Sequence, residues 1–595
     1  MQSTDWCRDE VVYQVYPRSF KDSNNDGVGD LAGIIEKLDY LKELGVTTVW
    51  LSPVYASPND DNGYDISNYF EIQPEFGTMQ DMKNLIEALH QRSMKCVMDL
   101  VVNHTSDEHI WFQRSKASKD PSNPYRDYYV WRPAHPERGG PPNNWESFFS
   151  GSAWDLDATT DEYYLHLFTP KQPDLNWENP AVREEVSNIV KFWVDFGVDG
   201  FRMDVINCIS KNVDLPDGSQ KSKAPQFLQW SPEHFVNGPK MQDYLNTHVT
   251  NLLRERGVFS VGETPMTDAP QAAAMTGRLP TAPAAGSMDM LIQFEFHDLQ
   301  CDYGGEWNKW SPKPWTVPQL KEVVDRWMLA LQQVDGWCAN YISNHDQPRA
   351  VSHWGCDASE EERKVSAKCW AIYNFCLRGT PFIYQGEELG MTNCAWTLDE
   401  CRDVEIIRFA ADARQRGLPE ATMLEWINWK GRDNARTPFP WTANGGFSSQ
   451  ADVTPWLKMN PNFPHINAQD NVADPTSVWH CYRQLIALRR ECLLLRRGDY
   501  IPMSTNHPSQ VLAWGRGLLS QPQSLLLVVL NLRGGAVEEV QLSCRVREWN
   551  QLLTSPTATY QLLLGNVEGG CTPLQLPLKA LAGWEGCVFM VSSRS

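Results

Sequence analysis

Short apolar runs alternate with amphipathic stripes along most of this chain, and several of the runs end in acidic or amide side chains. The runs fall at 11–15, 47–51, 96–102, 200–204, 258–262, 288–294, 339–343 and 381–384, short enough for strands and flanked by helix-length segments. Between the first two, Leu31, Ile34, Ile35, Leu38 and Leu41 recur at helical spacing, and Gly45 offers a C-terminal stop. Comparable helices are predicted over 79–91, 181–196, 241–256, 317–333, 361–377 and 478–489. Strands alternating with helices eight times predict an α/β fold, a (β/α)8 TIM barrel with right-handed crossovers.

Two segments break the rhythm. Residues 105–176 are rich in Pro, Asn, Asp and aromatics, with only short strands such as 163–168, and read as a small inserted domain after strand 3. Residues 395–454 are polar and tryptophan-bearing and read as a loop subdomain. From about 500 the pattern changes to strands at 511–515, 525–532 and 588–591, separated by Gly, Pro and Ser, which predicts a C-terminal antiparallel β-sandwich domain. The expected division is therefore barrel over 1–104, insertion over 105–176, barrel again over 177–499 and β-domain over 500–595.

At 595 residues the chain exceeds one ordinary core, and 42% apolar content is ample for globular folding. A net charge of −21 argues against nucleic acid or an anionic membrane as partner, since both need a basic face. The first ten residues hold no apolar segment of secretory type, and no run has the length needed to span a bilayer. Fifteen cysteines, odd in number and scattered, with Cys96, Cys208, Cys369 and Cys376 inside predicted elements, read as free thiols of a reducing compartment. A cytoplasmic protein is expected, with a mature secreted form as the alternative. The expected state is a monomer, with a homodimer as the other option.

The chemistry sits at strand ends. Asp99, Asn103 and His104 close the third run, Arg202 and Asp204 the fourth, Glu263 the fifth, and Asn344, His345 and Asp346 the seventh. Barrel strands deliver active-site residues at that end. Arg202 and Asp204, two apart on one strand, point the same way, and a guanidinium beside Asp204 favours the ionised form of a nucleophile. Glu263, partly desolvated beside an anion, would keep its proton and serve as general acid. Asp346 would bind hydroxyls near the reacting carbon. A strand-end carboxylate can equally cap the next helix or join a surface ion pair. Four such ends in barrel order favour cleavage of a glycosidic bond.

These residues resemble those of the α-amylase family of glycoside hydrolases, and within it the oligo-1,6-glucosidase and α-glucosidase group. The resemblance rests on Tyr13 to Phe20 (Tyr-Gln-Val-Tyr-Pro-Arg-Ser-Phe), Asp61 to Ile66, Gln172 to Trp177, Gly200 to Val205, Gly262 to Thr264 and Gly431 to Pro438. It implies Asp204 as nucleophile, Glu263 as acid/base and Asp346 as transition-state stabiliser. It implies Asp61 and Arg436 as the pair closing the pocket behind the non-reducing glucose, Tyr64 and Phe168 as its aromatic platform, and His104 and His345 as hydroxyl contacts, with Gln172 and Arg202 also at the substrate. Val205, after the nucleophile, resembles the group favouring α-1,6 bonds, although valine is also simply a good strand residue. The charged loop of related sucrose isomerases is replaced here by Asp298 to Asp302 (Asp-Leu-Gln-Cys-Asp), which does not support isomerisation. Phe439-Pro440 departs from the group's usual Met-Gln and puts the following turn, and some contacts to the leaving-group sugar, in question.

Asp22, Asn24, Asp26, Val28 and Asp30 place oxygens at alternate positions around Gly27, like half of a calcium loop with the Val28 carbonyl as one ligand. The resemblance implies a structural Ca²⁺ or Mg²⁺ there; an Asx-rich turn capping the next helix is the alternative. The leading expectation is a retaining exo-α-glucosidase acting on small oligosaccharides with α-1,6 linkages. Behind it stand an α-1,4-glucosidase (maltase or sucrase), a trehalose-6-phosphate hydrolase and, from another class, a noncatalytic transporter heavy chain.

Overall fold

Eight short parallel strands close on themselves in a computed structural model that describes residues 4–219, 227–278, 286–303, 305–518, 520–570 and 576–593. The barrel strands are β1 (Val12–Val15), β2 (Thr48–Leu51), β3 (Lys95–Leu100), β4 (Gly200–Met203), β5 (Phe259–Glu263), β6 (Met290–Ile292), β7 (Cys338–Asn340) and β8 (Thr380–Tyr384). Each pairs with its sequence neighbours, and β1 pairs with β8 to complete the ring. All eight predicted runs are strands, though β6 and β7 shrink to three residues each.

The barrel is filled, not hollow. Val12, Trp50, Val97, Phe259, Met290, Trp337 and Phe382 pack inside it, as alternate strand residues do in a closed sheet. The outward residues meet helices such as Met79–Gln91, Pro180–Phe196, Val317–Gln333 and Glu360–Cys376. Thr78 caps the first of these through a capping box with Asp81. The stripe beginning at Leu31 forms two helices, Leu31–Glu36 and Leu38–Leu44, and Gly45 takes φ 104 to end the second, a conformation glycine adopts without Cβ strain.

The insertion after β3 carries a three-stranded sheet, Trp131–Arg132, Trp154–Asp157 and Glu162–Leu165. Past β8, the segment read as a loop contains helices Val404–Gln415 and Glu420–Lys430. The first carries a buried stripe of Ile406, Phe409, Ala410 and Ala413 at helical spacing. The C-terminal region forms a six-stranded antiparallel sheet facing a two-stranded one. Fully buried Arg516 from that sheet donates to the carbonyls of Cys376 and Leu377 at the end of helix Glu360–Cys376, which satisfies orphan acceptors and opposes the helix dipole. No helix of the described residues is long and apolar enough to cross a membrane.

Candidate active site

Arg202 is the hub of the site. Its side chain is wholly buried, and one guanidinium nitrogen reaches Asp99 at 2.6 Å and Asp204 at 2.5 Å, while another reaches Glu263 at 2.7 Å. The strand register explains this convergence. Asp99 pairs with Arg202 across β3 and β4, and Val261 pairs with Arg202 across β4 and β5, so that Glu263 arrives two residues beyond on the same side. Asp99 is further fixed by Trp50 Nε1 at 2.9 Å and the Tyr64 hydroxyl at 3.3 Å. It therefore anchors Arg202 rather than joining the cavity wall.

Burial pushes Glu263 up to about 8 and Asp204 up to about 7, with Arg202 pulling both back. The expectation that Arg202 alone would set Asp204 low is thus corrected: desolvation of a carboxylate this deep outweighs one shared guanidinium. Both carboxyls lie against the one guanidinium, so their protons come off in steps that belong to the pair.

Asp346 behaves differently. Against the push of burial, His345 and two arginines hold its carboxyl well below the usual range. Arg432 and Arg436 reach Oδ1 at 3.1 and 3.0 Å, and His345 Nε2 lies 3.0 Å from Oδ2. The two arginines share Asp403, the buried residue before helix Val404–Gln415.

The partner of Asp61 is Arg432, at 2.9 Å, and not Arg436. Arg436 is fully buried; its Nε donates to the His345 carbonyl, and its Nη1 lies 3.5 Å from Asp403. The two arginines stand four residues apart in one short helical turn and so share a face; only Arg432 borders the cavity. Both lay within the motif quoted above, and both meet Asp346 and Asp403, so only the contact with Asp61 separates them.

Asp61, Tyr64, His104, Phe168, Gln172, Asp204, Val205, Glu263 and Asp346 all border one cavity of about 1130 Å³, its open mouth included. Tyr64 stacks on His345 with centroids 5.0 Å apart and planes at 5°. Phe168 is held between Phe148 and Phe149. His104 Nε2 lies 3.1 Å from the Tyr64 carbonyl and 3.3 Å from the Gln172 amide, which itself donates to Asp61 at 3.2 Å. His345 does not border the cavity; it acts through Tyr64 and Asp346.

Val205 is not a strand residue. β4 ends at Met203, and Val205 takes φ 34 and ψ 41, a left-handed conformation that is costly for a β-branched side chain. The turn aims its N–H at Glu263 Oε2, 3.0 Å away, and sets its side chain against the cavity. Strand propensity is therefore no account of this valine.

Sequence reasoning missed the opposite wall. His297, Asp298, Tyr303, Lys309, Gln347, Glu405 and Lys430 border the same cavity from the loops after β6, β7 and β8. Lys309 pairs with Glu405, and Lys430 donates to Gln347 at 3.3 Å. Phe439, by contrast, lies in the core against Phe20 and Trp441, with its N–H on the Ser19 carbonyl. The doubt attached to Phe439-Pro440 is removed, since that turn is packing beneath β1 and borders no substrate space.

In the Asp22–Asp30 loop the donor set is all oxygen, the type a hard cation takes. Its groups also make turn bonds: Asp22 accepts from the N–H groups of Asn25 and Gly27, and Asp30 caps helix Leu31–Glu36. Among the described residues no three His, Cys, Asp or Glu side chains converge with metal-holding geometry. The fit to a cation is therefore one of donor type.

The model of the α-amylase catalytic domain matches residues 14–498. An oligo-1,6-glucosidase of Parageobacillus thermoglucosidasius is 50% identical over 83% of this chain and 85% of its own length. An α-glucosidase of Schizosaccharomyces pombe is 41% identical over 94% of both. Among solved structures, a Bacillus licheniformis trehalose-6-phosphate hydrolase superposes with a TM-score of 0.88 at 37% identity, covering 99% of this chain and 100% of that one. An isomaltulose synthase of Protaminobacter rubrum gives 0.87 at 37%, covering 100% of both.

Proposed function

The chain belongs to the α-amylase family of glycoside hydrolases, and on that premise we propose a retaining, exo-acting α-glucosidase that releases glucose from non-reducing ends of short α-glucosides and prefers α-1,6 linkages. The observation that carries the chemistry is the single Arg202 guanidinium gripping both Asp204 and Glu263. Relatives named oligo-1,6-glucosidase at 43–50% identity support the linkage.

The reaction runs in two displacements. Protonated Glu263 donates to the glycosidic oxygen as an Asp204 oxygen attacks the anomeric carbon. The carbon–oxygen bond breaks, the leaving sugar departs with that proton, and a glucosyl ester forms on Asp204. Ionised Glu263 then takes a proton from water, whose oxygen displaces the Asp204 carboxylate, and glucose leaves with its configuration retained. Asp346, kept anionic by its arginines, is placed to bind sugar hydroxyls as positive charge develops on the ring. The Asp61–Arg432 pair closes the glucose end, which supports release of one unit at a time.

Cations on the leaving-group wall bear on the phosphorylated alternative. Lys309 is matched by Glu405, and Lys430 sits beside Asp298 and Gln347. That balance favours an uncharged sugar over a phosphate. The experiment is kcat/KM on isomaltose and on maltose with one preparation. Preference for isomaltose sustains the reading; preference for maltose keeps the mechanism and moves the chain to the α-1,4-glucosidase group.

The proposal extends to a structural Ca²⁺ or Mg²⁺ held by Asp22, Asn24, Asp26, the Val28 carbonyl and Asp30. Saturating Ca²⁺ should raise Tm relative to chelated enzyme by about 1–2 °C, what ligand linkage of that many kcal/mol gives in a chain of this length. An unchanged Tm would leave the loop to its capping bonds alone. Buried free thiols at Cys96, Cys208, Cys369 and Cys376 support a cytoplasmic location.

A further inference from the structure

His297 sits on the leaving-group wall with an anomaly. Its side chain is only 2% exposed, it borders the catalytic cavity, and neither ring nitrogen has a hydrogen-bond partner among the described residues. His104 and His345, at the glucose end, have polar contacts at both nitrogens. A buried polar group left unpaired costs about 1–3 kcal/mol, so such groups are retained where a ligand satisfies them.

The ring is also fixed in place. Tyr341 lies 4.7 Å from it, Phe296 4.8 Å and Trp354 5.7 Å. These contacts come from β7's exit, the His297 helical turn itself and the helix Ala350–Trp354, so the imidazole cannot swing to seek a partner elsewhere. Burial and the nearby Lys430 ammonium keep it neutral. A neutral imidazole offers one donor and one acceptor nitrogen, a match for a hydroxyl that can both give and take a proton. Around it on the same wall stand Gln347, Lys430 and Asp298, the groups that would bind neighbouring hydroxyls of one sugar ring.

We propose that His297 is a specificity-determining residue that hydrogen-bonds a hydroxyl of the leaving-group sugar and so separates sugar leaving groups from others. The inference rests on the α-glucosidase reading above. It adds the residue by which the enzyme recognises what it releases, as distinct from the glucose it attacks.

The test compares isomaltose with p-nitrophenyl α-glucoside, whose leaving group carries no sugar hydroxyls. For His297→Met the ratio of kcat/KM values, isomaltose over aryl glucoside, should fall about tenfold, the worth of one lost hydrogen bond to a buried site. His297→Gln, which restores a polar end, should recover part of that ratio. An unchanged ratio in His297→Met would overturn the proposal, as would an equal loss on both substrates. Because a buried substitution can unfold the chain, a second arm keeps His297 intact: the Glu263→Gln enzyme crystallised with isomaltose. A sugar hydroxyl within hydrogen-bond distance of a His297 nitrogen supports the assignment; a ring turned only to water or protein removes it. Failure of the wild type to cleave either glucoside would instead count against the α-glucosidase reading itself.

Discussion

The two ends of the cavity are built on different principles. At the glucose end, Asp61, His104, Gln172, His345 and Asp346 are bonded to one another or to Arg432 and Arg436 before any sugar arrives. At the leaving-group end Lys309 is paired with Glu405, but His297 has no hydrogen-bond partner at either ring nitrogen among the described residues, and Lys430 reaches Gln347 at 3.3 Å. Preorganised dipoles and charges act at no reorganisation cost when the transition state forms. The glucose end, where charge develops, is the end that is wired in advance. The other end need only discriminate among sugars.

The sharpest break in that comparison is Asp204→Asn. It removes the proposed nucleophile while leaving a side chain of the same shape beside Arg202, so kcat should drop by about 10⁴-fold or more with the circular dichroism spectrum retained. Substantial residual hydrolysis would take Asp204 out of the nucleophile role. Arg432→Ala should cost about 10²-fold in kcat/KM, because it strips Asp61 of its ion-pair partner and leaves Asp346 with one arginine, Arg436, beside His345. Binding of a monosaccharide glucose mimic should weaken more in Arg432→Ala than in Arg436→Ala. The opposite ranking would return Arg436 to the role that resemblance first gave it.

The same asymmetry decides what could be read from the sequence. Asp204 and Glu263 were legible because they close apolar runs, where strand register fixes them and two-residue periodicity aims them inward. Asp61, Tyr64, Phe168 and Gln172 instead lie on loops and came from the family resemblance. The leaving-group end was not legible, because His297, Lys309, Glu405 and Lys430 come from long loops after β6 and β8, where no periodicity links a residue to a wall. Arg432 and Arg436 fall between these cases. The motif containing both was visible, yet which guanidinium meets Asp61 depends on a fold contact 371 residues apart in sequence. Helices Val404–Gln415 and Glu420–Lys430 were hidden for a related reason, since they pack on a satellite cluster around Phe409 and Met423 rather than on the barrel.

A pH profile probes the catalytic pair directly. Asp204 must be ionised and Glu263 protonated, so kcat/KM on isomaltose should fall about tenfold per unit below the lower titration and above the upper one. With Asp204 pushed up to about 7 and Glu263 up to about 8, the free enzyme's optimum is expected between those values. The two limbs belong to the pair as macroscopic steps. Glu263→Gln assayed on an aryl glucoside, whose leaving group needs no proton, should lose the alkaline limb and keep the acid one. An alkaline limb that persists there belongs to some other group.

The smallest expected effect is at Val205, and it is the one that joins the two ends. Its N–H holds Glu263, a task any residue but proline performs, while its side chain narrows the cavity just past the nucleophile. The left-handed conformation costs roughly 1–3 kcal/mol for such a side chain, a cost borne at a position where glycine would sit without strain. Val205→Gly should therefore recover part of that strain while giving up the packing of two methyl groups, leaving unfolding free energy within about 1 kcal/mol of the parent. Val205→Ala and Val205→Thr keep the N–H and alter only width or polarity. If width selects the linkage, the isomaltose-to-maltose ratio should fall a few-fold, about 3 to 10, in Val205→Ala and less in the nearly isosteric Val205→Thr. If the ratio is the same in all three, the valine serves Glu263 alone, and linkage choice passes to the leaving-group wall of His297, Gln347 and Lys430.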